Sequence, residues 1–182
     1  GVEALMRWQH PVRGNIPPDS FIPYAENSTL IDQITYFALN QSLAQLVEWD
    51  KNGLKNIRMA VNISTRNLVN PGFFETVMQL LETHGVKPER LELEVTESSF
   101  VEDMENSIVE LTKLSNANIA ISIDDFGTGY SSLQYLEKLP VSIIKIDQSF
   151  IMQLLTEPGS EKIVNAAIGL AHELELKVIA EG

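Results

Sequence analysis

The sequence predicts an α/β domain of the TIM-type (β/α) barrel class, and three observations carry that prediction. Extended and helical apolar patterns alternate along the chain, the strand-like runs set polar residues opposite their apolar faces, and no G-x-G-x-x-G follows the first run. The alternation requires a parallel sheet with helices outside it, which a barrel and an open doubly wound sheet both satisfy. Without the glycine fingerprint, the dinucleotide-binding open sheet has no support. Polar–apolar alternation inside the strands favours the barrel, where one face of each strand meets helices and the other points inward.

The strand-like runs lie at Val2–Gln9, Ile57–Ser64, Arg90–Thr96, Ile119–Asp125, Ser142–Asp147 and Lys177–Glu181. Helical apolar spacing fills Leu30 to Trp49, Phe73 to Leu81, Ile108 to Leu114 and Ile163 to Leu174, with Gly53 and Gly85 where helix C-caps are expected. Within the strands, Val61 and Ile63 leave Asn62 on the opposite face, and Leu93 and Val95 leave Glu94. Ile121 and Ile123 leave Asp124, Ile144 and Ile146 leave Lys145, and Val178 and Ala180 leave Glu181. In the first run, Ala4 and Met6 leave Glu3, Leu5 and Arg7 together. Any one of these polar residues is most simply a solvated or edge position. Together they mark the strand ends where barrel enzymes carry their chemistry, and converging carboxylates call for a compensating cation. Six strands do not close an eight-stranded barrel, so the expectation is one domain over residues 1–182 that is incomplete at both ends.

The chain has 182 residues, 44% of them hydrophobic and 21% charged, which describes a globular chain rather than a disordered one. Thirteen basic residues stand against 25 acidic ones, for a formal net charge of −12. Such a surface repels DNA and RNA, and no Lys/Arg cluster relieves it. A phosphate-ester ligand would therefore need a divalent metal between itself and the carboxylates. Cysteine is absent, which removes disulfides and thiolate metal sites and accords with a reducing compartment. No apolar stretch is long enough to span a bilayer and no signal-peptide pattern opens the chain, so a cytoplasmic domain without membrane contact is expected, whatever anchors the parent protein.

Asp124 and Asp125 form the sharpest local signal: two adjacent carboxylates end a strand and run into Phe126–Gly127–Thr128–Gly129–Tyr130. Neighbouring strand residues face opposite ways, so a bend must bring both acids to one site, and glycines at 127 and 129 permit it. An Asp-capped turn is the plain alternative. Glu3, Asn62, Glu94, Asp124 and Asp125 offer only oxygen donors, the chemistry preferred by Mg²⁺ or Mn²⁺ over zinc. His10, in a Pro/Gly-rich loop, His84, beside a glycine, and His172, on a helix, read as structural or solvated. Lys145 is a lone cation among acids, suited to neutralising a carboxylate, orienting a water or meeting a phosphate oxygen. Arg7 has the fork geometry that matches a phosphodiester.

In this order the motifs resemble those of one family, the EAL-domain cyclic di-GMP phosphodiesterases. The resemblance starts at Glu3–Ala4–Leu5 with Arg7–Trp8 and continues through Asn62–Ile63–Ser64, Leu91–Glu92–Leu93–Glu94–Val95–Thr96–Glu97, the run from Asp124 to Leu133 and Lys145–Ile146–Asp147. It ends at Ala180–Glu181–Gly182 and covers the whole chain. It implies a modified TIM barrel that hydrolyses cyclic di-GMP to linear pGpG in bacterial signalling, with Mg²⁺ or Mn²⁺, two ions per site. Glu3, Asn62, Glu94, Asp124 and Asp125 would be the metal ligands. Lys145 would contact the attacking water, and Glu181 would either position metal-bound water or act as base. Leu5 and Arg7 would contact the substrate, Arg7 through a phosphate. Glu97 would brace the loop after Asp125, through which a homodimer is implied. Two rival readings use the same residues: a receptor that holds cyclic di-GMP without cutting it, and an unrelated Mg²⁺-dependent barrel enzyme acting on a carbonyl substrate.

Overall fold

The computed structural model of the chain describes residues 1–97, 104–128, 136–154 and 156–181. The run Gly129–Leu133 and Gly182 therefore lie outside the described residues. The chain folds as two compact units, residues 1–92 and 93–182.

The first unit opens with β1 (Val2–Ala4), β2 (Trp8–His10) and β3 (Gly14–Ile16), followed by α1 (Ile22–Glu26) and the long α2 (Leu30–Lys51). The expected single strand Val2–Gln9 is thus two strands with different partners. β1 pairs in parallel with β4 (Met59–Asn62), Glu3 opposite Ala60, whereas β2 and β3 form an antiparallel hairpin. His10 consequently ends a strand instead of sitting in a loop, and its Nδ1 accepts the Val12 and Arg13 N–H groups at 3.1 Å each to shape the hairpin turn. α2 buries Ile31, Thr35, Leu39, Ser42, Leu43 and Leu46, spaced by three, four or one residues as one helical face requires. It packs on β4 and on α4 (Phe73–His84), whose Phe73, Val77 and Leu81 recur at every fourth position and are buried. Each such side chain contributes about 1.5–3 kcal/mol through burial. α4 ends on Gly85, left-handed at φ 64°, and α2 is followed by Gly53 at φ 85°, both at the expected cap positions. His84 Nε2 lies 2.9 Å from Asn40 Oδ1, a structural bond between these two helices. The short α3 (Thr65–Leu68) follows β4 directly.

β5 (Leu91–Thr96) leads into the second unit, which continues with α5 (Met104–Asn116), β6 (Ala120–Phe126), β7 (Ile143–Ile146), α6 (Gln148–Met152), α7 (Pro158–Glu173) and β8 (Lys177–Ala180). β6, β7 and β8 are consecutive parallel neighbours, with Ile123 opposite Ile144 and Lys145 opposite Ile179. α7 lays Val164 and Ala167 on Ile146, and Phe126, Phe150 and Val178 close over that cluster. His172 lies exposed in the last turn of α7. No helix among the described residues is long and apolar enough to cross a membrane.

Candidate active site

In the first unit, β1 carries Glu3 and the last residue of β4 is Asn62. The parallel pairing of these strands brings the two side chains together, and Asn62 Nδ2 donates to Glu3 Oε1 at 2.8 Å. Both residues are exposed. Leu5 and Arg7 follow β1 outside any strand, and both are exposed; Arg7 Nη1 donates to the Met6 carbonyl at 2.9 Å.

The second unit concentrates charge and buries it. Lys145, from the middle of β7, is 5% exposed. Its Nζ lies 2.7 Å from Glu181 Oε1, 2.8 Å from Glu94 Oε1 and 3.3 Å from Asp124 Oδ1. Glu94 comes from β5 and is 1% exposed; Asp124 comes from β6. Glu181 lies just past β8 and is placed there by its own N–H, which donates to the Ile146 carbonyl at 3.2 Å. Burial alone would lower the Lys145 pKa, but hydrogen bonds to Glu181 and Glu94 and the charges of Glu94 and Asp124 outweigh it, so the ammonium is held well above its ordinary range.

The bend expected at Asp124–Asp125 is present. The β6–β7 register slips between Ile123 and Phe126, and Asp125 takes φ 54°, a left-handed conformation that Asp tolerates better than most residues. Carboxylate oxygens of Asp124, Asp125 and Glu181 consequently fall within 4.8 Å of one another. Burial first, and then the charges of Asp124 and Asp147, raise the Asp125 pKa. Glu181 is raised by burial and by Asp124, against the lowering effect of its bond to Lys145. The donor set fits a hard divalent cation: three crowded carboxylates, no imidazole or thiolate among them, and two of the three held back from ionising by burial and by neighbouring carboxylates.

Beyond Asp125 the chain turns sharply. The Gly127 N–H donates to Glu97 Oε2 at 2.7 Å, and Thr128 Oγ1 donates to the Asp125 carbonyl at 2.8 Å. Gly127 has φ 101°, and a Cβ there would meet Phe150 Cε2 at 2.9 Å, so glycine is required on two counts. The loop through which a homodimer is implied continues into residues 129–135, outside the described residues.

Asp147 is a site residue that sequence reasoning does not single out. It caps α6 by accepting the Ser149 N–H at 3.0 Å, and Ser149 pulls its pKa down, while its charge and a hydrogen bond reach Asp125. Its spacing is the available signal, because residues two apart on a strand share a face and Asp147 follows Lys145 by two.

Comparison with known proteins accords with this geometry. The family model described as EAL domain matches residues 1–182. The bifunctional diguanylate cyclase/cyclic di-GMP phosphodiesterase MucR of Pseudomonas aeruginosa is 44% identical over 182 residues, which are all of this chain and 27% of that protein. The cyclic di-GMP phosphodiesterase PdeR of Escherichia coli is 39% identical over 181 residues, again the whole chain and 27% of the relative. The chain therefore spans about a quarter of the length of these curated relatives. Among solved structures, that of the PaMucR phosphodiesterase in complex with c-di-GMP superposes with a TM-score of 0.92 at 43% identity, over 99% of this chain and 73% of that one. The fold is accordingly the α/β, TIM-barrel type of EAL structures, and the chain belongs to the EAL domain family.

Proposed function

We propose that the protein containing this chain is a cyclic di-GMP phosphodiesterase that opens its substrate to linear pGpG with Mg²⁺ or Mn²⁺, two ions per site. The observation that carries this reading is the cluster of Asp124, Asp125 and Glu181 with a buried Lys145 beside it. Relatives bearing that activity in their names, and the solved complex with c-di-GMP, support the choice of substrate.

Glu94, Asp124 and Asp125 would hold metal in the second unit, and Glu3 and Asn62 offer oxygen donors of the same kind in the first. Bound metal would supply an acidified water and neutralise phosphoryl charge. The chain's own groups do the rest. Lys145, kept protonated, would hold the attacking water by a hydrogen bond and stabilise charge on the phosphoryl oxygens. Glu181 would accept a proton from that water, and burial, by raising its pKa, makes its carboxylate a stronger base. As the water oxygen bonds to phosphorus, the bond from phosphorus to the 3′ oxygen breaks, and that oxygen takes up a proton to give the linear product. Arg7 would hold a substrate phosphate with its planar donors while Leu5 packs beside it. Glu97, by accepting the Gly127 N–H, would brace the turn that carries Asp125.

The test is hydrolysis of cyclic di-GMP by the full-length protein, with and without a chelator, in wild type and Glu3→Ala. Linear product that disappears with the chelator and with Glu3→Ala is the expected result. Metal-dependent binding without product would make the protein a receptor. Near-normal turnover in Glu3→Ala would sink the ligand assignment.

A further inference from the structure

A polar network in the first unit lies outside the machinery described so far. Asn67, in α3, is 0% exposed and spends its amide on three partners. Its Oδ1 accepts the Thr35 hydroxyl at 2.9 Å and the Ser64 N–H at 3.0 Å, and its Nδ2 donates to Asp32 Oδ1 at 2.7 Å. Asn70 Nδ2 donates to the other Asp32 oxygen at 3.0 Å. Thr35 and Asp32 belong to α2, more than 30 positions back in the chain. Ser64 in turn accepts the Arg66 N–H, closing a capping box with Asn67 at the start of α3.

Burying a full amide is unfavourable unless its bonds are made, and Asn67 is fully buried, so a network that satisfies it specifies one backbone arrangement. The arrangement it specifies here is the turn from β4 into α3. Ser64 is two residues after Asn62, whose amide bonds Glu3 at 2.8 Å. A turn left free to rotate would carry Asn62 away from that contact.

We propose that Asn67 is a positioning residue: anchored by Thr35 and Asp32 of α2, it fixes the β4–α3 turn and thereby aims Asn62 and the Glu3–Asn62 oxygen pair at a divalent cation. This rests on the metal-ligand reading of Glu3 and Asn62 proposed above. Partners that orient a ligand without touching the metal typically change its affinity about 10–100-fold when lost.

The experiment uses the full-length protein and measures Mn²⁺ binding by titration calorimetry alongside thermal melting. Asn67→Leu keeps the branched shape of the side chain, with slightly bulkier methyl ends, and removes all three bonds. Thr35→Val removes one, and it remains informative should Asn67→Leu fail to fold. Val77→Ala truncates an apolar side chain of the same unit, 1% exposed and outside the network, and controls for lost stability. Asn67→Leu is expected to weaken Mn²⁺ binding about tenfold or more and Thr35→Val about threefold, while Val77→Ala lowers the melting temperature with affinity unchanged. Wild-type affinity in folded Thr35→Val and Asn67→Leu, or an equal loss in Val77→Ala, would overturn the proposal. Glu3→Ala separates the two levels. If it also binds Mn²⁺ like wild type, the ligand reading itself fails; if it alone loses affinity, only the role of Asn67 does.

Discussion

The two units handle acidic chemistry in opposite ways. In the first, Glu3 and Asn62 are both exposed, and Asn62 Nδ2 donates to Glu3 Oε1 in reach of water. In the second, Glu94, Asp124 and Glu181 surround an ammonium that is itself buried. The difference lies in the medium. Water screens a carboxylate at little cost, whereas a desolvated one must be offset by a cation nearby or give up its charge. The buried cluster is therefore where the pKa shifts gather and where a missing partner costs most.

Removing the ammonium breaks the comparison most directly. Lys145→Ala leaves buried carboxylates without their cation and should cost about 3–5 kcal/mol of metal-free stability in urea unfolding at neutral pH. A cost below about 1 kcal/mol would mean that the carboxylates protonate or hydrate freely, and the contrast between the units would vanish. Backbone geometry comes next. Gly127→Val combines a left-handed φ with a direct approach to the Phe150 ring and should cost about 2–4 kcal/mol, where Gly85→Ala, at φ 64° with open space around it, should cost about 1 kcal/mol.

The response to pH sharpens the same point. Asp125 and Glu181 are raised in the folded protein, so the metal-free fold binds more protons than the unfolded chain as these groups titrate. Its stability should consequently fall as pH rises from about 4 through their raised values. Saturating Mn²⁺ should oppose that slope, because the proposed ligand Asp125 must be ionised to bind it. Denaturant melts across the window, with ion and with chelator, read the sign directly; identical slopes would remove Asp125 from the ion's ligands. The smallest effect is expected at the exposed pair, where Asn62→Ala should change metal-free stability by less than about 1 kcal/mol.

Much of this is legible in the residues alone. Apolar alternation at Ile121–Ile123 and Ile144–Ile146 locates β6 and β7 and places Asp124 and Lys145 opposite those side chains. Four-residue spacing of Phe73, Val77 and Leu81 locates α4, and Gly85 marks its end. The run Val2–Gln9 misleads because apolar periodicity continues through Met6, although β1 and β2 take different strand partners. Pairing partners lie 50 or more positions away for β1 and only a few for β2, and periodicity within one segment does not distinguish these cases.

By itself the sequence determined the alternation of strands and helices and the acidic character of the strand ends, which follow from local periodicity and residue chemistry, while the resemblance of its ordered motifs pointed to the family. Tertiary structure alone decided how Asp124 and Asp125 share a site through a register slip, that Lys145 is buried between Glu94 and Glu181, and that Asn67 links α2 to the turn behind Asn62. Each of these depends on distances between residues far apart in the chain and on how much water remains around them, and folding sets both.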